Sequence, residues 1–253
     1  MNITGHTPMV KITPQLWAKL ETYNPTGSVK DRMAAYIFKT AQGRGELDGK
    51  TTIIEATSGN TGIAFARVGA INGMKVIIIM PYNMSEERKK MMKVYGAEII
   101  EVGHNAFKDA IAMRDKMLAK SAHAWSPKQF SNEDNIWCHR FTTGPEISGD
   151  THGYTLEAFV SGAGTGGTMM GVKRFFAGMG QKNPKFVLVT PEEPAEEHGI
   201  QGINDGADFL VDRSQMDQII EVKTEEAIER ARRLAKENGL LVGISAGANV
   251  LAA

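Results

Sequence analysis

The stretch Asn24-Pro25-Thr26-Gly27-Ser28-Val29-Lys30-Asp31-Arg32 presents one lysine in a setting that suits a reactive amine. Asn-Pro and Thr-Gly are turn chemistry. Residues 15–22 before the turn read as a strand, and the residues after Ser28 read as a helix with Met33, Ile37 and Phe38 on one face. Ser28 is then the N-cap, and Lys30 falls in the first helical turn. The partial positive charge at a helix start disfavours an ammonium, and a neutral amine is a nucleophile. A lone lysine at a helix start is more often simply solvated, so its meaning depends on the other motifs.

Two more turns join a predicted strand to a predicted helix. After residues 52–56 comes Thr57-Ser58-Gly59-Asn60-Thr61-Gly62, which sets polar side chains and backbone N–H groups at a helix N-terminus. Such a junction suits a carboxylate or a phosphate, although clusters of Ser, Asn and Gly also make ordinary caps. The third turn, Gly162-Ala163-Gly164-Thr165-Gly166-Gly167-Thr168, satisfies the dinucleotide pattern G-x-G-x-x-G, and Glu192 stands after the next predicted strand, where a ribose-binding carboxylate belongs. A nucleotide-dependent oxidoreductase is therefore a competing reading. The hydroxyls of Thr165 and Thr168 instead suit a compact terminal phosphate.

These turns need a scaffold of alternating elements. Residues 52–56, 75–80, 97–102, 154–160, 185–190 and 218–222 read as strands, several as continuous apolar runs of the kind buried on both faces of a parallel sheet. Between them, residues 61–72, 85–95, 106–119, 168–179 and 224–238 read as helices. The alternation predicts an α/β protein. Residues 120–151 are less regular and form a candidate crossing between two lobes.

Composition narrows the function classes. The 253 residues, 42% hydrophobic, can bury a sizeable core. Equal numbers of basic and acidic residues, 29 of each, give no electrostatic case for nucleic acid or an anionic membrane. A small neutral or zwitterionic ligand fits better. The single cysteine, Cys138, excludes an intrachain disulfide framework and reads as a packed thiol, and the six histidines show no paired metal spacing. With no signal peptide or long apolar run evident at the N-terminus, a cytoplasmic location is expected.

Together these pieces resemble the cysteine synthase family, the branch of fold-type II pyridoxal-phosphate enzymes that includes O-acetylserine sulfhydrylases and cystathionine β-synthases. The resemblance runs through Thr4-Gly-His-Thr-Pro-Met-Val10, NPTGSVKDR, TSGNTG, Gln129-Phe-Ser-Asn132, Thr142-Thr-Gly-Pro-Glu146, GAGTGGT and Gly243-Ile-Ser-Ala-Gly247. It implies a two-lobed fold of the tryptophan synthase β type, with mostly parallel sheets flanked by helices. Residues 1–34 plus 147–253 would form the larger, phosphate-binding domain, and 35–146 the smaller mobile one. Lys30 would carry pyridoxal 5'-phosphate on its ε-amine and act as the catalytic base, and Asn60 would bond the phenolic oxygen. Gly164, Thr165, Gly166, Gly167 and Thr168 would bind the phosphate, while Ser245 would face the pyridine nitrogen. Thr57, Ser58, Gly59, Thr61 and Gln129 would grip the substrate carboxylate. No metal is implied.

The activity implied by the resemblance is β-replacement, forming L-cysteine from O-acetylserine and sulfide through an α-aminoacrylate. O-phosphoserine or serine are alternative donors, as in a cystathionine β-synthase, and a weakly active or regulatory relative is a further alternative. A homodimer and the tail of a serine acetyltransferase are the implied partners. Several connections differ from the family pattern. Those at 12–16 and 194–201 are short, Asn204-Asp205 stands near the expected site mouth, and the sequence ends at Ala253, before the strand and helix that complete the larger lobe in relatives.

Overall fold

The computed structural model describes residues 3–57, 59–180, 183–194, 197–203 and 209–253. Two compact units emerge, one built on Glu21–Asp134 with the first residues of the chain, the other on His6–Leu20 and Asn135–Ala253.

In the first unit, helix α1 (Lys30–Gly43) precedes the alternation β3 (Thr52–Ala56), α2 (Asn60–Asn72), β4 (Lys75–Pro81), α3 (Glu86–Val94), β5 (Glu98–Val102), α4 (Phe107–Lys120) and β6 (Ala124–Trp125). The strands form one parallel sheet in the order β5-β4-β3-β6. Because side chains alternate across a strand, the apolar runs feed both faces. Val76, Ile78 and Met80 pack with Met33, Ile37 and Phe38 of α1 and with Phe65 of α2, whereas Ile77 and Ile79 pack with Ala110 of α4. Gly62 lets α2 seat against α3, since a Cβ there would lie 2.8 Å from Met92 Cε.

The second unit opens with an antiparallel hairpin, β1 (Met9–Thr13) and β2 (Leu16–Lys19). The expected strand over residues 15–22 therefore ends early, and a 3-10 turn takes Glu21–Tyr23. The short 12–16 connection is the hairpin turn, where Thr13 Oγ1 accepts from the N–H groups of Gln15 and Leu16. Two helices follow, α5 (Asp134–Phe141) and α6 (Thr143–Asp150). Residues 120–151 are thus more regular than their sequence suggests. Then come β7 (Ala158–Gly162), α7 (Gly167–Ala177), β8 (Lys185–Pro191), β9 (Gln218–Val222), α8 (Thr224–Asn238) and α9 (Ile244–Ala252).

The sheet of this unit is parallel, in the order β7-β8-β9. Phe186 and Leu188 face Met169, Met170 and Val172 of α7, while Val189 and Val222 face Ala227 of α8 and Ala248 of α9. Strand β7 starts at Ala158, four residues later than expected, after a turn in which Gly153 takes φ +87°. Gly247 permits the contact of α9 with α8: a Cβ there would stand 2.1 Å from the Ala227 carbonyl oxygen.

Candidate functional site

Lys30 is the first residue of α1. The N-cap is Val29, one residue later than expected and without a side-chain capping bond; Ser28 stands just before it, and its Oγ accepts the Lys30 N–H at 3.3 Å. The turn before it is held by buried polar pairs. Asp31 Oδ2 accepts from the Thr26 N–H and hydroxyl at 2.8 and 2.9 Å, and Arg32 meets the Glu21 carboxylate with two nitrogens at 2.6 and 2.8 Å. Asn24 Nδ2 donates to the same carboxylate at 2.8 Å, and Asn24 Oδ1 accepts the Gly5 N–H. This network pins both sides of the lysine.

The Lys30 amine is pushed below the ordinary lysine range, because burial disfavours the ammonium; the Glu21 charge opposes the shift. A helix-start lysine merely solvated at the surface would not show this depression.

In the same unit, Thr57 directly follows β3 and is buried, whereas Asn60 is exposed at the start of α2. Gly59, half-buried, caps α2 with φ -147° and ψ -139°, and its N–H points to Thr57 Oγ1 at 3.4 Å. Thr61 and Gln129 come together, the threonine hydroxyl donating to Gln129 Oε1 at 2.6 Å. Beneath them Glu55 of β3 is fully buried. Its carboxylate accepts the Ala56 N–H, lies 3.2 Å from Arg114 Nη1 and accepts the backbone N–H of Gln129. Ser58 lies outside the described residues.

The phosphate-type turn belongs to the second unit. Gly166 has φ +90°, and α7 starts behind it with no side-chain cap. A Cβ on Gly164 would stand 2.6 Å from the Gly202 carbonyl oxygen, and one on Gly166 2.3 Å from the Val211 nitrogen. At these two positions the loop can therefore present only bare backbone. Thr165 Oγ1 lies 3.3 Å from the Gly167 N–H and accepts from Asn135 Nδ2 at 2.9 Å, while Thr168 Oγ1 is 3.2 Å from His139 Nε2. Backbone N–H groups at a helix N-terminus together with two hydroxyls make a donor set that fits a phosphate dianion.

Ser245 is half-buried in the first turn of α9. One turn further on, Asn249 Oδ1 accepts the Gly162 N–H at 2.7 Å, which ties α9 to the end of β7 where the glycine turn begins. Asn249, Asn135, His139 and Glu55 escaped the sequence reading. Only the i, i+4 spacings of Asn135 with His139 and of Ser245 with Asn249 carried a signal. Cys138 is a packed thiol, fully buried with Sγ 4.0 Å from Thr142 Oγ1. Among the described residues no cluster of His, Cys, Asp and Glu could hold a metal ion, and no helix is long and apolar enough to cross a membrane.

The family model described as pyridoxal-phosphate dependent enzyme matches residues 2–253. The chain belongs to that family. Cysteine synthase from Staphylococcus aureus is 40% identical to this pyridoxal-phosphate dependent enzyme over 270 residues, covering 99% of the chain and 86% of the relative. Among solved structures, cysteine synthase from Entamoeba histolytica matches with a TM-score of 0.92 at 37% identity, over 98% of this chain and 79% of that one. O-ureido-L-serine synthase matches with a TM-score of 0.92 at 34% identity, over 98% and 83%. The α/β fold is thus that of the fold-type II enzymes. Family membership also displaces the nucleotide-dependent oxidoreductase: Glu192, its ribose-binding candidate, is an exposed partner of Lys223 at 3.7 Å.

Proposed function

We propose that this enzyme forms L-cysteine by β-replacement from O-acetylserine and sulfide, with its coenzyme carried on Lys30. The observation that carries the reading is the half-buried Lys30 amine, depressed below the ordinary lysine range, in a chain 40% identical to cysteine synthases. Bound to an amino acid, pyridoxal phosphate acidifies Cα and weakens the bond to a β-substituent.

The protein's part is to hold and to move protons. Lys30 would hold the coenzyme through its nitrogen, and as a free neutral amine it would take the proton from Cα and return it. Thr57, Ser58, Gly59, Thr61 and Gln129 would bind the substrate carboxylate, and Asn60 the phenolic oxygen. Gly164, Thr165, Gly166, Gly167 and Thr168 would bind the phosphate, and Ser245 would face the pyridine nitrogen. A neutral hydroxyl at that nitrogen favours elimination over transamination. The domain proposal is that 35–146 moves against 1–34 plus 147–253 when the carboxylate binds. A homodimer, a cytoplasmic location and a serine acetyltransferase tail as partner belong to the same reading.

The relative named O-ureido-L-serine synthase makes the donor and acceptor the open part of the proposal. The experiment is the visible spectrum of the purified protein with pyridoxal phosphate, titrated with O-acetylserine, O-phosphoserine and serine in turn, then with sulfide. A coenzyme band that shifts on O-acetylserine alone and returns on sulfide, with L-cysteine as product, is the expected result. A shift only with O-phosphoserine or serine would reassign the donor, and no shift with any would overturn the proposal. Replacement of Lys30 by alanine should lower turnover at least about a thousandfold.

A further inference from the structure

Two side chains of α5 stand behind the threonines of the glycine turn. Asn135 Nδ2 donates to Thr165 Oγ1 at 2.9 Å. His139 Nε2 lies 3.2 Å from Thr168 Oγ1, and its Nδ1 lies 2.8 Å from Thr143 Oγ1. Asn135 and His139 are one helical turn apart, so they share a face of α5. Each is only 2% exposed. Helix α7 admits them through two glycines: a Cβ on Gly167 would stand 2.1 Å from Asn135 Oδ1, and one on Gly171 2.5 Å from both His139 Cβ and the Ile136 carbonyl oxygen.

A threonine hydroxyl has one proton to give. A phosphate dianion offers only acceptors, so a threonine that binds it must donate to it and accept from whatever stands behind. Thr165 already meets this condition, since it accepts from the Asn135 amide. Thr168 meets it if the His139 proton sits on Nε2; Nδ1 is then the acceptor, and the Thr143 hydroxyl supplies its proton. The opposite tautomer would take the Thr168 proton for the imidazole and leave the anion facing a lone pair. The order Thr143 to His139 to Thr168 to phosphate runs in one direction, and hydrogen bonds so chained strengthen one another.

We propose that Asn135 and His139 are positioning residues, which aim the Thr165 and Thr168 hydroxyl protons at the coenzyme phosphate, with Thr143 holding His139 as the neutral Nε2–H tautomer. The inference rests on the reading of residues 164–168 as the phosphate site, and the experiment separates the two.

Apoprotein is reconstituted with pyridoxal phosphate and, in parallel, with pyridoxal, which lacks the phosphate. His139→Leu should weaken pyridoxal phosphate about tenfold, the scale of a hydrogen bond to a charged group, and leave pyridoxal unchanged. His139→Gln, whose amide can donate from the Nε2 position, should recover most of the loss. In a Thr168→Val background His139→Leu should cost less than about twofold more, because the hydroxyl it serves is gone. Equal weakening of both ligands would mean a purely structural role and overturn the proposal, as would undiminished binding of pyridoxal phosphate by His139→Leu. If the unaltered protein binds both ligands equally, the phosphate-site reading itself fails. Nitrogen-15 NMR of the histidine-labelled holoenzyme needs no variant: the Nε2–H tautomer is expected for His139, and any other protonation pattern overturns the assignment.

Discussion

The hydroxyl of Thr61 donates to Oε1 of Gln129 at 2.6 Å, across 68 residues of sequence, and both side chains are 3% exposed. The bond fixes the amide orientation, so the Gln129 oxygen is committed to α2 and the NH2 end becomes the donor end of the side chain. That end suits a substrate carboxylate. Thr61→Val keeps the volume but removes the donor. The expected result is a KM for the amino-acid donor raised about tenfold, with kcat changed less than about threefold, as for lost binding common to ground and transition states. Gln129→Ala should do the same, and the double variant little worse than either. Steady-state kinetics on the three variants decides it; equal falls in kcat and kcat/KM would contradict the assignment.

Glu55 couples the sheet to that loop and carries a pH signature. Burial raises its pKa above the ordinary glutamate value of 4.5, Arg114 and two backbone N–H groups offset part of the shift, and Oε2 has no hydrogen-bond partner among the described residues. With a native pKa above the unfolded one, the folded state holds its proton longer. Glu55 therefore contributes stability below the unfolded value and loses it as pH rises through the native value. Asp31, also raised chiefly by burial, acts with the same sign, whereas Glu86 and Asp212, both lowered by hydrogen bonds, act with the opposite one. The readout is accordingly the difference between Glu55→Gln and the unaltered protein. The variant's relative stability, from urea midpoints, should climb as pH increases from about 4. A difference independent of pH would contradict the protonation argument.

Glu21 stands at the hub of the lysine turn, and its charge raises the Lys30 pKa against the larger, lowering effect of burial. Glu21→Gln should therefore depress the amine further. In the apoprotein, the rate at which an acylating reagent modifies Lys30, followed by peptide mapping, should reach half its plateau at a lower pH than in the unaltered protein. The same variant removes the Glu21 carboxylate that meets the buried Arg32 with two nitrogens, and a stability loss of about 2 kcal/mol is expected. A midpoint that moves upward would mean that Glu21 acts on Lys30 through geometry instead of charge.

The scaffold was legible where the chain is apolar and long. Residues 52–56, 75–81 and 185–191 are strands because their runs fill both faces of parallel sheets, and the helices between them follow from periodicity. Helices α5 and α6 were not legible, because each has eight residues and α6 carries Gly144-Pro145 in its first turn, where proline is tolerated. The glycine turn announced Thr165 and Thr168, but their partners Asn135 and His139 lie 30 and 29 residues away, and only packing at Gly167 and Gly171 brings α5 to them. Likewise the place of Lys30 at a helix start could be read from Ser28, whereas its depressed pKa follows from burial that no local pattern encodes.

Gly166 combines a left-handed backbone with a close backbone neighbour. Its φ of +90° lies in the left-handed region, and a Cβ would stand 2.3 Å from the Val211 nitrogen, a backbone atom that cannot swing aside. Gly166→Ala must move either the turn or the segment at Val211, and with it the first N–H groups of α7. A destabilisation of about 1–3 kcal/mol is expected from the conformation, with the clash adding to it. Because the displaced groups are the proposed phosphate donors, affinity for pyridoxal phosphate should fall far more than affinity for pyridoxal. Gly27→Ala is the control: φ there is +81°, but nothing lies within 4 Å of the added Cβ. It should cost stability through the same backbone strain while sparing the preference for the phosphorylated ligand. If the two variants lose that preference alike, the effect is one of general loosening, and the assignment of residues 164–168 to the phosphate is wrong.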